Sequence, residues 1–205
     1  MKVVIVDYGL GNLASIKNMI KKIGFESIIT DDINEIKTAN KLILPGVGNF
    51  KKGMEMLNQK DLIETLNTMV LESNIPILGI CLGMQLMTNH SDEGNTVGLK
   101  WINAETTKFN LKDQSLKIPH MGWADVYFQN NEILNNIFNE IPRFYFVHSY
   151  KVKCNDPEDV LGISLHEDKF HSAFKKNNIV GVQFHPEKSH KFGMNFINYF
   201  LTHQN

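Results

Sequence analysis

The sequence predicts an α/β protein with a doubly wound, mostly parallel sheet and a β-rich second half. In the first half, short apolar runs alternate with longer amphipathic stretches, which is the pattern of successive βα units. Beyond Gly98 the segments alternate apolar and polar residues, which is typical of mixed or antiparallel strands. No internal repeat, low-complexity tract or linker divides the chain, so we expect one domain over residues 1–205.

The elements of the first half follow from apolar spacing. Val3–Val6 is entirely apolar, as in a strand buried on both faces, and apolar residues at helical spacing then predict a helix from about Asn12 to Lys22. Gly24 can end that helix in a left-handed conformation. The remaining elements expected in this half are strands at Phe25–Ile29, Lys41–Leu44 and Ile75–Ile80, and an interrupted helical region over Lys51–Glu72.

The second half predicts a run of strands and one helix. Asn177 and Asn178 suit a tight turn into the last strand, and a C-terminal helix is expected from about Lys191 to Leu201. The expected strands are Trp101–Ile102, Ile118–Phe128, Phe144–Tyr150, Val160–Leu165, Phe170–Phe174 and Ile179–Phe184.

Composition argues against several classes of function. A formal net charge of −1 gives no broad attraction to nucleic acid or to an anionic membrane. The N-terminal apolar run, Val3–Val6, is too short for a signal peptide or a membrane span, so we expect a cytoplasmic protein. Cys81 and Cys154 lie far apart in the sequence, which suits a reducing compartment and leaves a thiol free for chemistry.

The most informative segment joins the strand ending at Ile80 to a helix through Gly79-Ile80-Cys81-Leu82-Gly83. This is a nucleophile elbow with cysteine as the nucleophile, because glycines on either side permit the sharp turn that exposes Cys81 at the helix N-terminus. The alternative is that Cys81 is a small buried hydrophobic residue and the glycines only make a tight turn.

His185-Pro186-Glu187 follows the last expected strand and offers a base and a group to orient it. With Cys81 it would complete a triad, although a capped turn is the ordinary interpretation of such a segment. A second loop, Pro45-Gly46-Val47-Gly48, follows a strand directly and could supply N–H donors to an oxyanion hole together with the N–H of Leu82. The loop could equally be an ordinary turn, and it lacks the lysine ending of a phosphate-binding loop.

These three motifs, in this order and spacing, resemble those of the class I (triad) glutamine amidotransferases, whose fold is flavodoxin-like. A closer resemblance, to the glutaminase subunits of imidazole glycerol phosphate synthases, covers essentially the whole chain. It is carried by Asp7–Leu13, Pro119–Trp123, Tyr145–Tyr150 and Gln183–Ser189.

The resemblance implies that Cys81 attacks the side-chain amide of L-glutamine, that His185 protonates the departing ammonia and that Glu187 orients His185. No cofactor is needed. It further implies an oxyanion hole at Val47, Gly48 and Leu82, glutamine binding by Gly46, Gln85, Glu93, His148, Ser149 and Tyr150, and a partner-facing surface at Asn12, Trp123, Tyr145 and Lys188. Without the resemblance, Gln85 and Glu93 would be assigned to a solvated surface, and His120 and His148 to a hydrogen-bonded core.

The resemblance also implies a partner, a separate (β/α)₈ synthase subunit that forms a heterodimer with this chain, receives the ammonia and makes imidazole glycerol phosphate in histidine biosynthesis. Such a barrel needs about 250 residues, more than this chain provides. The free subunit is expected to be nearly silent, because its oxyanion loop can be mis-set until the partner and its ligand bind.

Two departures from the family pattern leave the pathway open. Ala124 stands where asparagine usually follows Trp123, and Asp92 stands in a segment that is commonly Ser-Glu-Glu. A paralogue supplying ammonia for an acetamidino sugar in a surface-polysaccharide pathway would keep every glutaminase residue. The motifs are also compatible with a silent regulatory module or a different cysteine hydrolase. A metal hydrolase is disfavoured, because His185 and Glu187 lack a third spaced ligand.

Overall fold

The computed structural model describes residues 1–113, 115–129 and 136–203. Its helices are α1 (Leu13–Lys22), α2 (Ile33–Lys37), α3 (Phe50–Gln59), α4 (Leu62–Asn67), α5 (Leu82–Leu86) and α6 (His190–His203), with a π-helical turn at Thr68–Glu72 and 3₁₀ turns at Pro157–Asp159 and Pro186–Lys188. Its strands are β1 (Val3–Val6), β2 (Ser27–Thr30), β3 (Lys41–Leu44), β4 (Ile77–Ile80), β5 (His90–Ser91), β6 (Thr96–Val97), β7 (Ala104–Lys108), β8 (His120–Asp125), β9 (Tyr127–Phe128), β10 (Arg143–His148), β11 (Tyr150–Cys154), β12 (Val160–His166), β13 (Asp168–Lys176) and β14 (Ile179–Val182).

The main sheet is parallel on one side and mostly antiparallel on the other. Its order runs β2, β1, β3, β4, β14, β13, β11, β7, β5, β6, and the first five of these strands are mutually parallel. Strands β12 and β9 extend from β13, while β8 and β10 form a separate antiparallel pair. The predicted α/β class with a mostly parallel sheet and a β-rich second half is confirmed.

The parallel strands are apolar throughout because both faces of the sheet are covered. Along β1, the side chains of Val3 and Ile5 pack into one core cluster with α1 and α6, while those of Val4 and Val6 pack into another with α2 to α5. This two-sided burial is what an all-apolar run in a parallel strand predicts. Because helices cover both faces of the sheet, only the ends of the parallel strands remain accessible.

Most predicted elements of the first half are present with small shifts at their ends. The first helix ends beside Gly24, which has a φ of +93°. The helical region over 51–72 is interrupted at Asp61, whose φ of 56° separates α3 from α4. Helix α2 was not predicted, since it has only five residues; the side chain of Asp32 caps it by accepting a hydrogen bond from the N–H of Asn34 at 2.8 Å.

The predicted strand at Trp101–Ile102 is wrong. Both residues are buried in a loop, and both of their N–H groups donate to the carbonyl of Met87, at 2.9 and 3.1 Å. The indole N–H of Trp101 donates to the side-chain oxygen of Asn67 at 2.7 Å. The apolar pair is explained by burial beside the end of α5, and the next strand, β7, begins at Ala104.

Candidate active site

Three neighbouring parallel strands end at one edge of the sheet, and each is followed by one of the three sequence motifs. Gly79 of β4 lies opposite Leu44 of β3 and Gly181 of β14. The Pro45–Gly48 loop, Cys81 and His185 leave these strands within three residues of their ends. Strands that start far apart in sequence thereby place the motifs side by side, as expected of the carboxyl edge of a parallel sheet.

Cys81 lies at a strained turn that its flanking glycines permit. Its φ of 53° and ψ of −107° are rare for a residue with a side chain, and its N–H is held by the carbonyl of Val182 at 2.8 Å. A β-carbon at Gly79 would lie 2.8 Å from the nitrogen of Met84, and one at Gly83 would lie 1.8 Å from the carbonyl oxygen of Leu44. The turn is therefore a nucleophile elbow, followed by the short helix α5.

His185 and Glu187 form a buried pair beside Cys81. Nδ1 of His185 donates to Oε1 of Glu187 at 2.8 Å, because the 3₁₀ turn at Pro186–Lys188 brings the carboxylate back to the ring. Nε2 of His185 has no hydrogen-bond partner among the described residues. Burial acts to lower the pKa of His185, but its interactions with Cys81 and with the Glu187 carboxylate outweigh it and raise the pKa to about 10.

A pocket of about 290 Å³ opens in front of this pair. Its lining contains the predicted oxyanion residues and every predicted glutamine-binding residue except Gly46. The lining residues are Val47, Gly48, Cys81, Leu82, Gln85, Glu93, Pro119, Val147, His148, Ser149, Tyr150 and His185. Its volume is at the lower end of the range for small-molecule sites, which suits a ligand the size of an amino acid.

One predicted oxyanion donor is occupied. The N–H of Leu82 donates to the carbonyl oxygen of Gly46 at 3.3 Å. Gly48 in the same loop has a φ of +109°, a conformation that favours glycine. In this arrangement the Leu82 N–H is hydrogen-bonded to the protein backbone and is not available to a ligand in the pocket.

Sequence reasoning missed Gln183, which contacts Cys81. Its Nε2 donates to Sγ of Cys81 at 3.6 Å, and its Oε1 accepts from Nε2 of Gln85 at 2.9 Å. Gln85 also donates to the carbonyl of Tyr150 at 3.2 Å. A fully buried glutamine directly after a strand buried on both faces was the available signal, since a buried amide needs polar partners.

Two of the predicted glutamine-binding residues have side chains that form hydrogen bonds within the protein. Glu93 accepts a hydrogen bond from the N–H of Phe50, the first residue of α3, at 2.7 Å. Nδ1 of His148 donates to the carbonyl of Tyr150 at 2.7 Å, so Nε2 must accept, and Nδ1 of His120 donates to it at 3.1 Å. The His148 side chain is therefore held within the protein, although His148 is one of the residues that line the pocket.

Trp123, Tyr145 and Lys188, predicted to face a partner, come together next to the His185 turn. Tyr145 lies directly across from Trp123 in the β8 and β10 pair, and Nζ of Lys188 lies 5.5 Å from the centre of the Tyr145 ring. The indole of Trp123 remains 41% exposed. Asn12 directly precedes α1, a helix that packs against the Pro186–Lys188 turn.

The structure places Ala124 away from this surface. Its side chain packs against the core cluster that contains Phe144, the residue opposite it in β10. Alternation along the strand turns Trp123 outward and Ala124 inward. The departure from the family pattern at this position therefore changes the packing under the surface and leaves its exposed groups in place.

The model of the family described as glutamine amidotransferase class-I matches residues 4–203. The chain belongs to that family. A relative from Methanococcus maripaludis, imidazole glycerol phosphate synthase subunit HisH 2, is 54% identical to this amidotransferase and the match covers 97% of the chain and 98% of the relative. The protein of the same name from Pseudomonas aeruginosa is 43% identical, over 97% and 98% of the two chains.

A crystal structure of a glutamine amidotransferase shares the fold of this amidotransferase, with a TM-score of 0.76 at 16% identity over 97% of this chain and 96% of that one. Within the described residues, no helix is long and apolar enough to cross a membrane. Those residues also contain no cluster of three or more acidic, histidine or cysteine side chains placed to hold a metal ion.

Proposed function

We propose that this amidotransferase is the glutaminase subunit of an imidazole glycerol phosphate synthase. It hydrolyses L-glutamine at Cys81 and passes the ammonia to a separate (β/α)₈ synthase subunit in histidine biosynthesis. The observation that carries the proposal is the meeting of Cys81 and His185 at one pocket, with Glu187 hydrogen-bonded to His185, in a chain 54% identical to a protein named as such a subunit.

The first half of the reaction forms a thioester. The Cys81 thiolate attacks the side-chain carbonyl carbon of glutamine, and the bond from that carbon to the amide nitrogen breaks as Nε2 of His185 gives it a proton. The unpartnered Nε2 of His185 and its raised pKa suit this role, because the imidazolium keeps its proton until the leaving nitrogen needs it. Ammonia leaves and a γ-glutamyl thioester remains on Sγ.

The second half releases glutamate. His185, now neutral, takes a proton from a water molecule that attacks the thioester carbon, and the Cys81 sulfur leaves as the thiolate. Glu187 keeps the ring oriented throughout by accepting from Nδ1. Both tetrahedral intermediates carry an oxyanion, for which the N–H groups of Leu82 and of the Val47-Gly48 segment are the donors.

The substrate would lie along the pocket with its amide at Cys81. Gln85 is held by Gln183 and by the carbonyl of Tyr150, and its side-chain oxygen can then face the ligand. Glu93 can bind the α-ammonium group with the oxygen that Phe50 does not use. The backbone of Gly46 and of the segment 148–150 would contact the α-carboxylate side.

The same geometry supports low activity of the free subunit. The Leu82 N–H is bonded to Gly46, so an oxyanion donor is missing until the Pro45–Gly48 loop rearranges. The surface of Trp123, Tyr145 and Lys188 begins at the His185 turn, since the N–H of His185 donates to the carbonyl of Tyr145 at 2.9 Å. A barrel that docks there would be near both the triad and the route by which ammonia leaves.

A second candidate acceptor is an acetamidino sugar of a surface polysaccharide, with the glutaminase chemistry unchanged. The names of the relatives from Methanococcus maripaludis and Pseudomonas aeruginosa both carry the number 2, as expected where a species has a further copy of the subunit. A duplicated subunit that serves another acceptor would be such a further copy. The inward-facing Ala124 does not favour this candidate.

The test measures glutamate release from glutamine by the purified chain, alone and with a cognate histidine-pathway barrel loaded with its ribotide. We expect release that requires the barrel and is lost in Cys81→Ala. Cys154→Ala is the matched control, because burial, followed by Asp159 and Asp156, raises the pKa of that thiol to about 12 and leaves it unreactive. Release that persists in Cys81→Ala would remove the proposed nucleophile.

The choice of barrel separates the two acceptors. Stimulation by the histidine-pathway barrel assigns the chain to histidine biosynthesis. No response to that barrel, together with stimulation by a barrel encoded beside polysaccharide genes, moves the ammonia to the sugar and keeps the triad chemistry.

A further inference from the structure

Tyr8 is a buried residue whose hydroxyl group has no partner. It follows β1 at the same edge of the sheet as the Pro45–Gly48 loop, and its side chain is fully buried. Its hydroxyl finds no hydrogen-bond partner among the described residues. Such a group is destabilising, because it has left water without gaining a bond, and its retention in a native protein calls for an explanation such as a role in the reaction.

The hydroxyl lies against the loop that would form the oxyanion hole. A β-carbon built on Gly46 would lie 2.3 Å from the Tyr8 oxygen and 2.8 Å from the β-carbon of Leu82. Only glycine fits between these two side chains. Tyr8 and Leu82 therefore flank Gly46, and the carbonyl of Gly46 currently accepts from the N–H of Leu82.

Turning the Gly46 carbonyl away from Leu82 would change the partners of two groups at once. The Leu82 N–H would become available to the oxyanion, and the carbonyl would need a new donor within the buried site. Glycine lacks the β-carbon that makes such a peptide rotation costly for other residues. The Tyr8 hydroxyl is an unpaired donor already in contact with Gly46.

We infer that Tyr8 is a positioning residue of the glutaminase reaction: its hydroxyl donates a hydrogen bond to the Gly46 carbonyl when that carbonyl leaves Leu82, and so stabilises the working arrangement of the oxyanion loop. The inference rests on the proposed function. In the resting arrangement Gly46 is bonded to Leu82 and Tyr8 is unpaired. In the working arrangement Tyr8 is bonded to Gly46 and Leu82 to the oxyanion.

The hydroxyl is a donor throughout the working range of pH. Burial, and to a lesser extent the Cys81 thiolate, raises the pKa of Tyr8 above its ordinary value. Tyr8 therefore stays protonated beside Cys81.

The experiment compares Tyr8→Phe with the wild type, with and without the ligand-loaded barrel. Phenylalanine keeps the ring that packs in the core and removes only the hydroxyl. We expect the barrel-stimulated kcat to fall about threefold to tenfold, the factor that one neutral hydrogen bond supplies. With the barrel at saturating concentration, the KM for glutamine should stay as in the wild type.

Thermal unfolding of the free chain supplies a second readout. Since the hydroxyl is unpaired in the resting arrangement, Tyr8→Phe should unfold at the same temperature or a higher one. Tyr199→Phe is the matched control, because it removes the hydroxyl of another buried tyrosine, on α6. Its ratio of stimulated to unstimulated rate should equal that of the wild type.

Several outcomes would overturn the inference. They are an unchanged stimulated rate in Tyr8→Phe, a lower unfolding temperature, a rate loss explained by weaker barrel binding, or a wild type that the barrel does not stimulate. None of these affects the nucleophile if Cys81→Ala is inactive. Undiminished release in Cys81→Ala would instead remove the proposed function itself.

Discussion

At the scale of single residues, the proposed chemistry depends on a few polar and ionisable groups that lie close together in a buried site. His185 is bonded to Glu187 on one side and faces Cys81 on the other, and Gln183 donates to Sγ of Cys81 from the neighbouring strand end. Charged groups interact strongly at such short range when water is excluded. A change of one charge should therefore alter the protonation of the others.

Glu187→Gln should move the alkaline limit of activity. The Glu187 carboxylate helps to hold the pKa of His185 near 10, so without it the imidazolium loses its proton at lower pH. We expect the alkaline limb of kcat/KM to shift to lower pH, and the rate to fall about 10²-fold or more as the ring loses its orientation. The measurement is the pH profile of barrel-stimulated glutamate release.

The control for that variant is Glu140→Gln, which removes an exposed carboxylate bonded to Lys191 at 2.6 Å. A surface pair of this kind contributes little, so its profile should match that of the wild type. An unshifted alkaline limb in Glu187→Gln would contradict the role given to the carboxylate.

At the scale of elements, the site depends on how closely α5 approaches the end of β3. The backbone of Gly83 touches the carbonyl of Leu44, and Gly46 fits between Tyr8 and Leu82. These contacts place the Leu82 N–H beside the Pro45–Gly48 loop. The two glycines are thus required by the approach of two backbones, in addition to the turn at Cys81.

Gly83→Ala should destabilise the protein and abolish glutamate release. The added methyl would lie 1.8 Å from a backbone oxygen, which cannot move aside as a flexible side chain could. We expect a loss of about 1–3 kcal/mol in the free energy of unfolding, despite the better helix propensity of alanine. Chemical denaturation and the barrel-stimulated rate measure the two effects.

Gly24→Ala separates strain from contact. Its β-carbon would meet nothing within 4 Å, although its φ of +93° is unfavourable for alanine. Its free energy of unfolding should fall by about 1–2 kcal/mol, and its barrel-stimulated rate should equal that of the wild type. A Gly83→Ala protein with normal activity would show that the close approach of α5 to β3 is not needed.

At the scale of the whole molecule, the pKa values of buried histidines are shifted in opposite directions. Burial lowers the pKa of His120 to about 4 and that of His148 to about 3, with smaller effects of neighbouring groups, whereas the pKa of His185 is raised to about 10. The first two lie in a cluster of aromatic rings that includes Phe109 and Phe170. The third is beside Cys81.

The free energy of unfolding should therefore be greatest near pH 6.5, the ordinary pKa of histidine. Below pH 6.5 the unfolded chain binds protons that the folded His120 and His148 refuse down to about pH 3 to 4, so stability falls on acidification. The stabilising contribution of His185 is fully present below pH 6.5 and is lost as pH rises towards 10. Urea unfolding across this range measures both limbs.

Two variants test which histidines cause the acidic and the alkaline loss of stability. His120→Phe should reduce the loss of stability on the acidic side, and His185→Gln should reduce it on the alkaline side. An acidic limb that is unchanged in His120→Phe would contradict the assignment to the buried cluster.

The sequence alone determined much of this protein. All-apolar runs predicted the strands buried on both faces, and the elbow around Cys81 and the turn at His185-Pro186-Glu187 were recognisable because each is a local pattern of a few residues. Parallel strands end on a common side of the sheet, but that β3, β4 and β14 are neighbours was shown only by the structure.

Only the tertiary structure decided which groups share hydrogen bonds. It paired the Leu82 N–H with Gly46, placed Gln183 against Cys81, turned the His148 ring into the core and put Trp101 in a loop. Periodicity and turn chemistry act over a few neighbouring residues. These pairings depend on segments distant in sequence approaching within a few ångströms, which is set by the packing of the whole sheet.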